Sequence, residues 1–236
     1  MSSIQDFNRL DLQYLYHNPC IVLIRGMVGS AKTSAGFRVV EKIHQVSPYR
    51  PIYYFVLDAK RIPAISRLLP SWIQYTDSLS MENLPIGSVL YCDEAWSYLS
   101  AKAHKSKEQI QEVLDNMALI RQRDQTLILI VQNLAMLDID SFRVGYTLIS
   151  KFCPPETISF ERENLQDFLL GIQSGIEIRL EANPSLKMQQ VGHVHTPYSP
   201  MINKMYGRIP GYAWGFHKWK LPAFWSEELS TFWGRV

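Results

Sequence analysis

The fold of this chain is organised around one glycine-containing stretch, Arg25-Gly26-Met27-Val28-Gly29-Ser30-Ala31-Lys32-Thr33. Residues 21–24, just before it, are wholly apolar, so the sequence predicts a strand, a tight loop and then a helix. This layout matches the phosphate-binding P-loop, G-x-x-x-x-G-K-[ST], except that Ala31 occupies the position of the second glycine. The alternative interpretation is an ordinary turn between a strand and a helix.

The residue types in this loop suit a nucleotide triphosphate. Gly26 and Gly29 let the backbone turn tightly and direct N–H groups at an anion. Lys32 is placed to reach the β- and γ-phosphates of ATP, and the Thr33 hydroxyl to coordinate Mg²⁺. The helix that begins near Ser30 points the positive end of its dipole at the same phosphates. We therefore predict that ATP binds along the whole loop, residues 26–33.

A second motif follows the apolar run of residues 88–92, which ends in the paired acids Asp93 and Glu94. A strand that ends in two carboxylates, downstream of a P-loop, is typical of a Walker B element. One carboxylate orients the Mg²⁺ shell, and its neighbour polarises the attacking water. We assign the metal role to Asp93 and the role of catalytic base to Glu94. The alternative is a strand end that carries solvated acids.

A third motif is the near-continuous apolar run of residues 126–131, which is typical of a buried parallel strand and ends in Gln132. If this strand lies beside the P-loop strand, Gln132 can hydrogen-bond the γ-phosphate or the attacking water. The alternative is an amide that caps the following turn. The alternation of strands and helices predicts an α/β fold, a mostly parallel sheet with helices on both faces.

The chain changes character near residue 150. We expect residues 1–150 to form the core, with a helical segment over residues 1–19, and residues 151–236 to form an irregular extension packed on it. Within the extension we predict a strand over residues 158–162 and a short helix over residues 164–170. The segment 212–220 alternates aromatic and basic residues. It either stacks on single-stranded bases or docks its tryptophans on the core or on a neighbouring subunit.

Composition excludes several classes of protein. With 47% hydrophobic and 19% charged residues, the chain is typical neither of disordered nor of membrane proteins. A formal net charge of +2 means that any nucleic-acid surface must be a local patch. The three cysteines are far apart, which favours free thiols in a reducing compartment. The polar N-terminus lacks a signal-peptide pattern and no apolar run has membrane-helix length, so we expect a cytoplasmic protein.

Taken together, the three motifs resemble the FtsK–HerA class of P-loop ATPases. Within that class the chain is similar to viral genome-packaging ATPases and to the Zot-like assembly ATPases of filamentous phages. The resemblance covers roughly residues 20–150 and includes a characteristic pattern around the third strand. That pattern is Arg121-Gln122-Arg123 at a helix end, the strand ending in Gln132, and then Asp138 and Arg143.

The resemblance implies an ATP- and Mg²⁺-dependent motor that forms a ring, usually a pentamer or hexamer, with DNA passing through its centre. One of Arg121, Arg123 and Arg143 would then reach the γ-phosphate of a neighbouring subunit as an arginine finger. It also implies viral capsid or portal proteins as partners, in the host cytoplasm or at the virion. Two alternatives remain: a Zot-like extrusion factor, and a nucleotide-gated scaffold or DNA-binding regulator that hydrolyses ATP weakly because of Ala31.

Overall fold

The structure of the protein, a computed structural model, describes residues 12–93, 120, 122–136, 146–195 and 214–232. Most of the helical segment predicted over residues 1–19 lies outside these ranges. So do the following predicted functional residues: Glu94, Arg121, Asp138 and Arg143.

Within the described residues eight strands form one sheet, in the order β3-β2-β4-β5-β1-β6-β7-β8. The strands are β1 (Ile21–Arg25), β2 (Ile52–Phe55), β3 (Ile73–Thr76), β4 (Val89–Cys92), β5 (Thr126–Val131), β6 (Thr147–Lys151), β7 (Val191–His195) and β8 (Trp214–Lys218). Pairing is parallel from β3 through to β6, and antiparallel between β6, β7 and β8. The predicted mostly parallel sheet is therefore confirmed.

Helices cover both faces of this sheet. Those in the described residues are α1 (Gln13–His17), α2 (Lys32–Val46), α3 (Ile62–Ile65), α4 (Pro155–Ile158), α5 (Glu163–Ala182) and α6 (Glu227–Phe232), with short 3₁₀ turns between some of them. The alternating residues of β1 divide between the two layers: Val22 and Ile24 pack in the cluster that holds α2, and Ile21 and Leu23 in the cluster that holds α5. A strand that is buried on both faces is expected to be apolar throughout, which explains why residues 21–24, just before the P-loop, are all apolar.

Helix α2 carries the P-loop at its start and buries one side. Phe37, Val40 and Ile43 recur at helical spacing, and none exposes more than 1% of its surface. Burying each such side chain contributes about 1.5–3 kcal/mol, which fixes α2 against the sheet. The helix ends at Val46 because Pro48 disfavours helical backbone at the residue before it. The first turn of α2 is thus held at one place on the sheet edge.

Residues beyond 151 contain more regular secondary structure than the sequence indicates. The strand predicted over residues 158–162 is wrong: α4 ends at Ile158, and α5 then runs for 20 residues from Glu163. Ile158 is 1% exposed and Phe160 is 75% exposed, a difference that residues on the same face of one strand do not show. Strands β7 and β8 continue the sheet of the core. The domain division at residue 150 stays a prediction.

The aromatic and basic segment near the C-terminus supplies β8 and then Trp219, which is 4% exposed and belongs to the core cluster around α2. This position favours docking over base stacking for that tryptophan. Among the described helices, none is both long enough and apolar enough to span a membrane.

Candidate functional site

The three sequence motifs meet at one edge of the sheet. Strands β4, β5 and β1 are parallel neighbours, with Cys92 aligned to Leu129 and Arg25 aligned to Val131. The residues that follow these strands therefore emerge together. The prediction that the Gln132 strand lies beside the P-loop strand is confirmed.

A cavity of about 510 Å³ opens at this edge. Seven of the residues predicted from the sequence line it together, and Gly26, Met27 and Ser30 of the loop are not in its lining; the seven are Val28, Gly29, Ala31, Lys32, Thr33, Asp93 and Gln132. Its size falls within the range of about 300–1,000 Å³ that is usual for small-molecule pockets. Its lining also includes Asp58, Arg61, Leu221 and Trp225, which the sequence did not single out. Asp58, Asp93 and the P-loop lysine therefore line the same cavity.

The base of the loop requires glycine. Gly26 has φ 152°, and a Cβ there would lie 2.6 Å from Ser30 Oγ and 2.8 Å from Lys151 Cβ. The neighbouring backbone is tied to β6, because the Met27 N–H donates to the Phe152 carbonyl at 3.0 Å. The Ser30 hydroxyl closes the loop from inside by donating to the Met27 carbonyl at 2.8 Å.

Ala31 adopts a backbone conformation that is usual for glycine. Its φ of 64° and ψ of 39° place it in the left-handed region, immediately before α2. A residue with a Cβ pays roughly 1–2 kcal/mol in that conformation. The loop therefore keeps the shape that glycine would give at this motif position, and stores strain there.

We expect Ala31→Gly to stabilise the protein by about 0.5–1 kcal/mol, because relief of strain outweighs the greater freedom of the unfolded chain. Thermal unfolding should then show a rise of about 2–4 °C or less. Ala35→Gly is the matched control: Ala35 is buried within α2, so the same change should destabilise the protein by about 1 kcal/mol or more. If the two variants lose equal stability, the strain assignment is wrong.

The first turn of α2 is fixed against the Walker B-type strand. The Tyr91 hydroxyl on β4 donates to the Thr33 carbonyl at 3.2 Å. Burial, and secondly the nearby Asp93 carboxylate, raises the pKa of Tyr91 well above its usual value, so this phenol keeps its proton. Lys32 Nζ lies over the loop and donates to the Met27 carbonyl at 2.8 Å.

These residues fit an Mg²⁺ site. The Thr33 hydroxyl and the Asp93 carboxylate carry the oxygen ligands that Mg²⁺ prefers, and both residues line the cavity. The loop amides and Lys32 supply the positive charge that a triphosphate needs beside the metal.

The arginine predictions have different outcomes. Arg123 precedes β5, so it lies at the end of that strand opposite to Gln132. Its Nη2 donates to the carbonyls of Glu82 at 3.1 Å and Leu84 at 3.0 Å, so an arginine finger at this position would have to break these bonds. The role of Arg123 as an arginine finger that reaches the γ-phosphate of a neighbouring subunit stays a prediction. The catalytic base Glu94 and the other candidate fingers, Arg121 and Arg143, lie outside the described residues and stay predictions as well.

Sequence reasoning missed a buried ion pair at the base of the loop. The Nε of Arg25 lies 3.2 Å from Oε1 of Glu161, and both side chains are almost fully excluded from solvent. The only signal in the sequence was a charged residue that closes the apolar run of β1. Glu161 itself stood within the segment wrongly predicted as a strand.

Neither a family model nor a curated relative matches the sequence. Among solved structures, the DNA-packaging ATPase B204 from Sulfolobus Turreted Icosahedral Virus matches with a TM-score of 0.53 at 15% identity, over 86% of this chain and 98% of that one. The genome packaging NTPase B204 from Sulfolobus turreted icosahedral virus 2, in complex with AMPPCP, gives 0.51 at 16% identity, over 85% and 98%.

The same viral NTPase in complex with ATP-gammaS gives a TM-score of 0.52 at 14% identity, over 85% of this chain and 97% of that one. At these identities the likeness shows the fold alone. The chain therefore has a P-loop NTPase fold of the kind found in a viral packaging ATPase, as the sequence motifs predicted.

Proposed function

We propose that this protein is an Mg²⁺-dependent ATPase that uses hydrolysis to move nucleic acid. The observation that carries the proposal is the single cavity at the ends of β1, β4 and β5, which Lys32, Thr33, Asp93 and Gln132 line together. These four side chains perform separate tasks in nucleotide hydrolysis, and their meeting at one sheet edge is what such a site requires.

The chemistry follows from the positions of these side chains. The amides of the loop and of the first turn of α2 bind the phosphate oxygens of ATP. Lys32 exchanges its bond to the Met27 carbonyl for the β- and γ-phosphates. Thr33 and Asp93 would hold Mg²⁺, which would neutralise charge on the phosphate oxygens.

Water activation is assigned to the residues that follow β4 and β5. Glu94 comes directly after Asp93 and accepts a proton from the attacking water. The Gln132 amide orients that water or the γ-phosphate from the next strand end. The loss of the γ-phosphate therefore changes the bonding of Gln132, which makes this residue the sensor of hydrolysis.

Nucleic-acid movement is the finer part of the proposal. It is supported by the motif pattern of the sequence and by the shared fold with an ATPase named for DNA packaging. In this scheme the subunits form a ring around DNA, and an arginine from a neighbour completes each ATP site.

Steady-state ATP hydrolysis, measured with and without DNA, tests the motor. We expect Mg²⁺-dependent hydrolysis that duplex or single-stranded DNA stimulates, because a translocating enzyme couples turnover to its track. Hydrolysis that DNA leaves unchanged contradicts the motor but keeps the ATPase. Nucleotide binding without hydrolysis would favour a nucleotide-gated scaffold.

A particle mass measured in the same samples tests the ring. An oligomer in the presence of ATP and Mg²⁺ is the expected result. A monomer at every concentration would remove the need for an arginine from a neighbouring subunit.

A further inference from the structure

Arg25 connects the base of the P-loop to the C-terminal half of the chain. It is the last residue of β1 and directly precedes Gly26. Its side chain is 1% exposed, and its Nε lies 3.2 Å from Oε1 of Glu161, whose side chain is 0% exposed. Its Nη2 also donates to Cys153 Sγ at 3.2 Å. Burial raises the pKa of the Cys153 thiol, so Glu161 is the group that balances the charge of Arg25 here.

The same carboxylate holds the loop that carries Gln132. Glu161 Oε1 accepts the Leu134 N–H at 3.1 Å, and Oε2 accepts the Ala135 N–H at 3.0 Å. These amides belong to the turn that begins two residues after Gln132. One side chain therefore contacts both the strand that enters the P-loop and the loop that leaves β5.

Glu161 is itself fixed between two helices. It lies in the turn after α4 and before α5, and its carbonyl accepts a bond from Gln166 Nε2 at 2.7 Å. Glu161 therefore connects the loop after Gln132 to the turn that precedes the 20-residue helix α5. The Ala135 N–H is shared between two acceptors, since Asn133 Oδ1 also accepts it, at 2.7 Å.

Stability alone is a weak explanation for this arrangement. Removing a carboxylate and a guanidinium from water is expensive, and apolar residues of similar volume often serve as well. Oε1 of this carboxylate contacts Arg25 and the Leu134 N–H, and Oε2 accepts the Ala135 N–H. These contacts depend on both the charge and the geometry of the carboxylate. A carboxylate can contact two segments at once through its two oxygens, and an apolar side chain cannot make such bonds.

We propose that Glu161 is a positioning residue that couples the P-loop to Gln132 through its ion pair with Arg25 and the hydrogen bonds that it accepts from the Leu134 and Ala135 N–H groups. Glu161 keeps the Gln132 side chain aligned with the position of the γ-phosphate. It also transmits the movement of the loop after β5 to α5. This inference rests on the proposed function, because it assumes that Gln132 senses the phosphate.

Glu161→Gln tests the coupling by kinetics. This change keeps the shape of the side chain and removes its charge. A displaced sensor affects the chemical step more than binding, so we expect kcat to fall about tenfold or more, with the KM for ATP within about twofold. A purely structural role would lower the melting temperature without separating kcat from KM.

Glu41→Gln is the matched control. Glu41 is also buried, pairs with Arg38 and accepts the Ala223 N–H at 2.6 Å, but it lies on α2 away from the Gln132 loop. We expect its kcat and KM to match the wild type. Equal kinetics in the two variants, with ATP turnover intact, would overturn the coupling and leave the proposed function standing.

The double variant Arg25→Met/Glu161→Gln guards against loss of folding, because it removes both charges of the ion pair and leaves neither partner as an unpaired buried charge. Hydrogen exchange at residues 132–136 is compared with AMPPCP and with ADP. The wild type should show different protection in the two states, and the double variant should bind both nucleotides without that difference.

The other outcomes separate failure of the coupling from failure of the proposed function. It is overturned if the double variant keeps the wild-type difference, or if the wild type shows none. A wild type that binds both nucleotides but hydrolyses no ATP fails the proposed function, while the exchange comparison still decides the coupling. A wild type that binds neither nucleotide overturns both.

Discussion

Lys32→Ala is expected to reduce ATP turnover by about 10²–10³-fold or more and to abolish measurable ATP binding. The ammonium group is the cation of the loop that faces the cavity, and its Nζ already lies 2.8 Å from the Met27 carbonyl at the loop centre. Bonds from a charged group to phosphate are about twice as strong as neutral ones, so the loop amides cannot replace it.

The folded state should tolerate this change. Lys32 is partly exposed and belongs to neither buried cluster, so the melting temperature should stay within about 1–2 °C of the wild type, as expected for such surface positions. Lys42→Ala is the control on the same helix, since Lys42 bonds Gln45 and does not line the cavity. Calorimetric titration with ATP and a steady-state assay measure the effect. Turnover equal in both variants would exclude residues 26–33 as the ATP site.

Glu94→Gln is expected to bind ATP like the wild type and to lose turnover by about 10²–10⁴-fold, the usual contribution of general base catalysis. Glutamine keeps the size of the side chain but cannot accept the proton of the attacking water. Asp93, the residue before Glu94 in the sequence, lines the cavity.

Two comparisons make this result specific. Asp93→Asn should instead weaken Mg²⁺-dependent ATP binding, because it removes a charged ligand rather than a base. Glu82→Gln changes an exposed carboxylate in the 3₁₀ turn that precedes β4, and it should leave both binding and turnover unchanged. Single-turnover hydrolysis separates the effects. Full hydrolysis by Glu94→Gln would assign the base to another residue.

Much of the candidate site was predictable because its parts are local. Gly26, Lys32 and Thr33 lie within one loop, so spacing along the chain is enough to recognise the motif. Asp93 and Gln132 each follow an apolar strand, and parallel strands deliver such residues to a common edge. The αL conformation of Ala31 was not predicted, since a residue with a Cβ rarely adopts it.

The C-terminal half was predicted poorly for a different reason. Residues 158–162 contain apolar and polar residues in alternation, which favours a strand when no partner is known. The structure instead buries Ile158 and Glu161 and leaves Phe160 exposed. A buried Glu161 has no local signature, because charged residues are usually exposed unless a partner elsewhere in the chain pairs with them.

By itself, the sequence determined the phosphate loop, the acids after β4 and the amide after β5, since each depends on neighbours in the chain. Only the tertiary structure decided that the loop, Asp93 and Gln132 line one cavity, and that Glu161 joins Arg25 to the loop after Gln132. The physical reason is that a buried charge is tolerated only with a partner, and the partners here come from β1, from the turn after β5 and from the turn before α5.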